Sequence, residues 1–236
     1  MKILAITCTG GRPDAWALCQ NYMHRQTRRP DHWLVLDDCD PQTAFVDGVV
    51  RPSWRWKPKT ENTIRKNLLH ALRQSLLVDF DVCFLMEDDD WYAPEYIERL
   101  APAAMENRGM VGLKHSYDYN VRFRGFRENK NDGHCTGAST AWHRDATAPL
   151  LEAIQNNNVP TLDRFMWRKT PDVPKAKFAR HDFVGIKGMP GRGGTVRTHR
   201  QEHLVNPDPD MEKLKEWIGE DWRNYERFYT PPRDLS

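Results

Sequence analysis

Short apolar runs alternate along the first hundred residues with longer segments whose apolar positions follow the helical repeat. Ile3-Leu4-Ala5-Ile6 stops at Thr7-Cys8-Thr9-Gly10-Gly11, which predicts a buried strand opening into a glycine turn. Ala15, Leu18, Cys19, Tyr22 and Met23 then share one helical stripe that ends before Arg29-Pro30, with Asp14 positioned to cap it. Trp33-Leu34-Val35-Leu36 predicts a second strand, which delivers Asp37 and Asp38 at its carboxyl end. From Thr63 to Leu77, Ile64, Leu68, Ala71, Leu72 and Leu76 fall on one helical face, and such a helix returns the chain for a third parallel strand. That strand is Val82-Cys83-Phe84-Leu85-Met86, which runs directly into Glu87-Asp88-Asp89-Asp90-Trp91-Tyr92; Pro94 is expected at the first position of the next helix.

Beyond residue 100 the pattern is less regular. Met110 to Leu113 predicts a fourth strand, and Tyr117 to Phe126 a strand or hairpin at the sheet edge. Asp145 is expected to cap a helix through Leu150, Leu151 and Ile154, a short helix follows Pro160-Thr161, and Asp182 to Lys187 offers a last strand. A glycine-rich stretch after Gly188 leads to a helix near Met211 to Ile218 in a loosely attached tail. The expected organisation is a catalytic domain over 1–200, with a donor-binding half at 1–100 and an acceptor half at 101–200, followed by a helical tail at 201–236.

Composition narrows the class. Hydrophobic residues at 39% and charged residues at 29% describe a globular chain, and a net charge of +2 excludes a uniform polycation. The five cysteines form neither a CxxC pair nor a zinc-ligand spacing, which fits buried thiols in a reduced, cytoplasmic setting. No run is long enough for a signal core or a membrane span, so a soluble protein is expected.

The acids at 87 to 90 carry the chemistry. Placed directly after a buried strand, they concentrate more negative charge than a fold tolerates without a counter-ion, and oxygen-only donors suit Mg²⁺ or Mn²⁺ with a diphosphate as partner. An acidic turn that favours the following helix N-terminus is the plain alternative.

The order of strand, glycine turn, helix, strand ending in Asp-Asp, helix, and strand ending in FLMEDDDWYAP resembles the GT-A glycosyltransferases, especially the family 2-like inverting enzymes and their phage-type members. That resemblance covers roughly residues 2 to 100. It implies an α/β fold of the GT-A, Rossmann-like kind with a mixed central sheet, and transfer of a sugar from a nucleotide-sugar, with UDP favoured, to an acceptor hydroxyl. It further implies Glu87 and Asp89 on the metal, Asp88 toward the sugar or ribose, and Asp37 or Asp38 on the nucleotide base. Thr7, Thr9 and Arg12 line the same pocket, and Arg65 and Asn67 stand at the nucleotide edge, although the polar face of an amphipathic helix explains that pair equally. Asp163 is the candidate base, with Asp145 in reserve; helix capping or pairing with Arg164 explains Asp163 almost as well. Lys187, Arg192 and Arg197 suit a diphosphate, and His199 would complete the metal shell, with His181 second.

Rival readings fail or stay open on specific residues. Gly194 stands where a P-loop needs lysine, Gln42 spoils a haloacid-dehalogenase-type motif, and the glycines after the first strand do not form GxGxxG. Trp54-Arg55-Trp56-Lys57 and Asn120 to Arg127 interleave aromatics with cations, which keeps open a nucleic-acid-binding module. They also keep open a transferase whose acceptor is a modified base in DNA rather than a saccharide or other small molecule.

Overall fold

The computed structural model describes residues 1–57, 63–130, 133–156, 162–179, 181–192 and 206–229. In chain order the first half contains β1 (Ile3–Thr9), α1 (Pro13–His24), β2 (His32–Asp37), β3 (Val49–Val50), α2 (Ile64–Ser75), β4 (Val82–Leu85), β5 (Trp91–Tyr92) and α3 (Tyr96–Asn107). The second half contains β6 (Met110–Leu113), β7 (His115–Asn120), β8 (Gly125–Lys130), β9 (Thr140–His143), α4 (Thr147–Gln155), α5 (Leu162–Arg168), β10 (Lys175–Phe178), β11 (Phe183–Lys187), β12 (Asn206–Pro207) and α6 (Glu212–Ile218).

Seven strands form the central sheet in the order β10-β6-β9-β4-β1-β2-β3. β2, β1 and β4 are parallel, and β9 runs antiparallel to both β4 and β6, so the sheet is mixed as expected. Strand alternation assigns the two faces. Leu4, Ile6, Cys83 and Leu85 pack with α2, α4 and α5 through Leu68, Leu72, Leu150 and Met166, whereas Ile3, Ala5, Val82 and Phe84 pack with α3 through Tyr96, Ile97 and Leu100. Each fully buried aliphatic side chain in these layers contributes about 1.5–3 kcal/mol. Apolar residues on both faces explain why these strands read as unbroken runs rather than as alternation.

A second sheet of five strands, β12-β8-β7-β11-β5, departs from the expected edge hairpin. The β7–β8 hairpin and β11 lie here, not on the central sheet, and the two-residue β5 links β11 to the acid-bearing turn. One face of this sheet, bearing Tyr119, Val184 and Ile186, packs on Met211, Leu214, Trp217 and Tyr225. Residues 206–229 are therefore not loosely attached. The Tyr22 and Tyr225 hydroxyls lie 2.8 Å apart, and Arg25 pairs with Asp221 at 2.5 Å.

Helix starts also differ from expectation. Arg12, not Asp14, is the cap residue of α1, because Pro13 already supplies the helical φ; Asp14 sits in the first turn and pairs with Arg227 at 2.8 Å. α3 begins at Tyr96, two residues after Pro94, whose carbonyl accepts from the Thr27 amide at 2.9 Å. Asp145 lies in a short 3-10 turn before α4, with its carboxylate on Arg108. Among the described residues no helix is long and apolar enough to cross a membrane.

Candidate active site

Because β1, β2 and β4 are parallel, their carboxyl ends share one edge of the central sheet, where open α/β sheets take ligands. Thr9, Asp37-Asp38 and Glu87-Asp88-Asp89-Asp90 meet there. Thr9 Oγ1 donates to Asp88 Oδ2 at 2.7 Å, while Arg12, delivered by the glycine turn, pairs with Asp88 and donates to Asp89 Oδ2 at 2.6 Å. Asp90 turns toward the second sheet: its Oδ1 accepts from the Ile186 amide at 2.9 Å and from Lys187 Nζ at 3.0 Å. One carboxylate oxygen from each of Glu87, Asp89 and Asp90 lies within 4.8 Å of the others.

Burial pushes the Glu87 carboxyl up to about 8, with Asp90 and Asp89 adding repulsion. Burial likewise raises Asp90 to about 7 against the pull of Lys187, and Asp88 to about 6 against that of Arg12. For Arg12 and Lys187 burial acts in the lowering direction, but the carboxylates around them overcome it and hold both in the charged form. Among the described residues these four carboxylates face two cations, an excess of two negative charges there once all are ionised, the charge of one divalent ion. Among the described residues no cation pairs with Glu87. Hard oxygen donors with an unbalanced charge fit Mg²⁺ or Mn²⁺.

The two acids at the end of β2 have separate tasks. Asp37 accepts from the amides of Cys39 at 3.0 Å, Thr43 at 2.6 Å and Ala44 at 2.8 Å, so it shapes the 39–44 loop. Asp38 is buried at this edge, where it accepts from Asn67 Nδ2 at 2.8 Å, from Thr63 Oγ1 and from Arg192 Nη1 at 2.6 Å. Trp54 Nε1 fixes Asn67 at 2.9 Å, and the Arg192 guanidinium lies 4.9 Å over the Trp56 ring.

Several expected residues stand elsewhere. Thr7 accepts from Trp33 Nε1 at 3.0 Å inside the sheet. Arg65, two residues from Asn67 and so on another face of α2, donates to the carbonyls of Ile154 at 3.1 Å and Gln155 at 2.9 Å, closing the end of α4. Arg192 rests on Asp38 rather than beside the acid turn. His181 stacks on Tyr117 with centroids 4.6 Å apart and is outside the carboxylate cluster. Asp145 follows β9, whose His143 pairs in register with Val82 at the start of β4, so it belongs to the opposite edge of the sheet from the acids. Arg197 and His199 lie outside the described residues. Asp163 is in the first turn of α5, part-buried, and its charge raises the pKa of His134 against the burial that lowers it.

Three participants were not foreseen. The Tyr92 hydroxyl accepts from the Glu87 amide at 2.8 Å and donates to the Ala138 carbonyl at 3.2 Å, which ties the acid turn to the 136–140 segment. Thr63 and Trp56 complete the Asp38 pocket. A signal for Trp56 existed in the aromatic-cation pattern, but the pattern does not say that the ring turns inward.

Neither a family model nor a curated protein matches the chain. Solved structures do. Over 79% of its length the chain superposes on S. aureus TarS 1–349 with a TM-score of 0.55 at 14% identity, and on the same protein in complex with UDP with a TM-score of 0.54 at 14% identity. For the complex with UDP-GlcNAc the values are 82%, 0.51 and 15%. The chain spans 60% of the length of these structures and 37% of a longer TarS structure. What is shared at this identity is the fold, which is of the GT-A type.

Proposed function

We propose that this chain is a metal-dependent glycosyltransferase that moves a sugar from a nucleotide-sugar, a UDP-sugar, to an acceptor hydroxyl with inversion. The observation that carries the reading is the cluster of Glu87, Asp89 and Asp90, whose carboxylate oxygens lie within 4.8 Å of one another at the carboxyl edge of the sheet, beside Asp38. UDP is supported by the likeness to a fold whose solved examples bind UDP and UDP-GlcNAc.

In this reading Asp38 and Asn67 hold the nucleobase, Thr9 and Arg12 orient the acid turn, and Asp88 faces the ribose or sugar. Glu87 and Asp89 hold Mg²⁺ or Mn²⁺, with His199 as a further ligand, and the ion when bound offsets the charge of the departing diphosphate. Lys187 keeps Asp90 turned aside so that the cluster keeps its shape, and Arg197 serves the diphosphate. Asp163 takes the acceptor's hydroxyl proton as that oxygen attacks the anomeric carbon, while the bond to the diphosphate breaks on the opposite face. Residues 1–100 supply the donor half and 101–200 the acceptor half. A saccharide or other small hydroxyl compound is favoured over DNA, because the aromatic-cation patches are engaged within the chain: Trp54 on Asn67, Trp56 under Arg192, Arg124 on the Pro209 carbonyl, and Arg127 on Asp118.

Calorimetric titration with nucleoside diphosphates and nucleotide sugars, each with and without Mn²⁺, tests the reading. Metal-dependent binding of one nucleotide is expected. A folded protein that binds none of them, or that binds DNA in a salt-dependent, metal-independent manner instead, would overturn it.

A further inference from the structure

The Asp38 carboxylate is covered by the chain's own Arg192, and the way it is covered describes what else fits in that place. We infer that Arg192 holds the place of the nucleobase in this pocket and that Trp56 is the ring on which that base stacks. The inference rests on reading the pocket as a nucleotide site.

A guanidinium is flat, carries its N–H donors in its own plane and stacks on indole faces. Arg192 uses all three properties. Its Nη1 donates to Asp38 Oδ1 at 2.6 Å, its Nη2 to Thr63 Oγ1, and its plane centre lies 4.9 Å from the centre of the Trp56 ring. A nucleobase with an imide or lactam N–H, uracil or guanine, offers the same set: a flat ring with an in-plane donor for a carboxylate. Adenine and cytosine lack that ring N–H at neutral pH and present only an exocyclic amino group to a carboxylate.

The surroundings hold this arrangement in place. Only 14% of the Arg192 side chain is exposed. Its amide donates to the Gly11 carbonyl at 3.1 Å, and the preceding Gly191 has φ +95 and approaches so closely that a Cβ there would stand 2.3 Å from that carbonyl. Trp56 is fixed from the other side, where its amide donates to the Asp38 carbonyl at 2.8 Å. A turn requiring glycine on one side and a backbone bond on the other thus bring a cation and an aromatic ring onto one carboxylate. A donor base entering this pocket displaces Arg192, and the apparent affinity falls by the fraction of molecules in which the pocket is closed.

Nucleosides, which lack phosphates, isolate this effect from any contact that Arg192 makes with a diphosphate. Wild type, Arg192→Ala and the double variant Arg192→Ala with Trp56→Ala are titrated calorimetrically with uridine and with guanosine. Arg192→Met, which keeps the stem and loses the donors, is measured in parallel in case alanine loosens the turn. UDP and GDP, each with Mn²⁺, on wild type report on the donor reading itself. Arg192→Ala and Arg192→Met are expected to bind one of the two nucleosides about tenfold more tightly than wild type, and loss of Trp56 to cancel the gain; which nucleoside gains identifies the base. If wild type binds UDP or GDP but neither single variant gains on either nucleoside, or the gain survives removal of Trp56, the inference is overturned and the donor reading stands. If wild type binds neither UDP nor GDP in the presence of Mn²⁺, both fall.

Discussion

Two parallel strands of one sheet end in aspartates at the same edge, and the acids meet opposite fates. At the end of β2 the charges are matched: Asp37 has three amide donors, and Asp38 has Asn67, Thr63 and Arg192. At the end of β4 four acids share two cations among the described residues, and burial with mutual repulsion pushes Glu87, Asp90 and Asp88 above the usual carboxylate range. The same local pattern, apolar strand then acids, yields a turn-forming acid, a pocket acid and an over-charged cluster. What separates them is the number of donors that the tertiary structure brings to each oxygen.

The largest expected effect tests the over-charged end. Asp89→Asn removes charge from the cluster and should lower Mn²⁺-dependent sugar transfer about a thousandfold, the scale of losing several kcal/mol of charge stabilisation, with the fold retained by circular dichroism. Retained activity would make the acid excess structural. Next comes Asp163→Asn, for which turnover should fall at least about a hundredfold while calorimetry shows unchanged donor binding.

The β2 end should respond in a different currency. Asp37→Ala leaves three loop amides without their acceptor and should cost about 2 kcal/mol in denaturant unfolding, whereas Asp38→Asn should cost less stability and weaken nucleotide binding about tenfold. Equal effects of the two would erase the distinction between them. The smallest effect is one of pH. A carboxyl whose pKa is higher in the folded state than in the unfolded one stabilises the fold when protonated and loses that contribution as pH rises through the folded value. For Glu87, Asp90 and Asp88 the window runs from roughly 4 to about 8, so the metal-free melting temperature should drop by a few degrees between pH 5 and pH 8, and Mn²⁺ should restore it at pH 8. A melting temperature that rises over this range without metal would contradict the assigned charge excess.

Most of the central sheet was legible because its strands are apolar on both faces and the helices between them carry single stripes. β1, α1, β2, α2, β4 and β6 fall where the pattern predicts them. The second sheet was not legible. β7 alternates Ser116, Asp118 and Asn120 with Tyr117 and Tyr119, and its polar set is buried, so the pattern reads as an exposed edge. The antiparallel insertion of β9 depends on pairing between residues far apart in sequence, which no local repeat encodes. At the site, the acids were visible as a run of charge, but their partners were not. Arg65 and Asn67 sit on one short stretch of helix and point to different neighbours, and Arg192 meets Asp38 across more than 150 residues.

The Tyr22–Tyr225 contact sets a schedule for the chain as it is made. β12 and α6 are the last strand and helix described, yet the Trp91 ring beside the acid turn donates to Asp221 at 2.6 Å and packs in the cluster that Leu214, Trp217 and Tyr225 complete. A nascent chain still held by the ribosome at residue 200 can already pair β1, β2 and β4, but the wall behind its acid turn has not been synthesised. Completion of the acid-bearing end therefore follows translation of the segment around residue 221, and a ribosome stalled earlier would present the parallel strands with that wall unfinished.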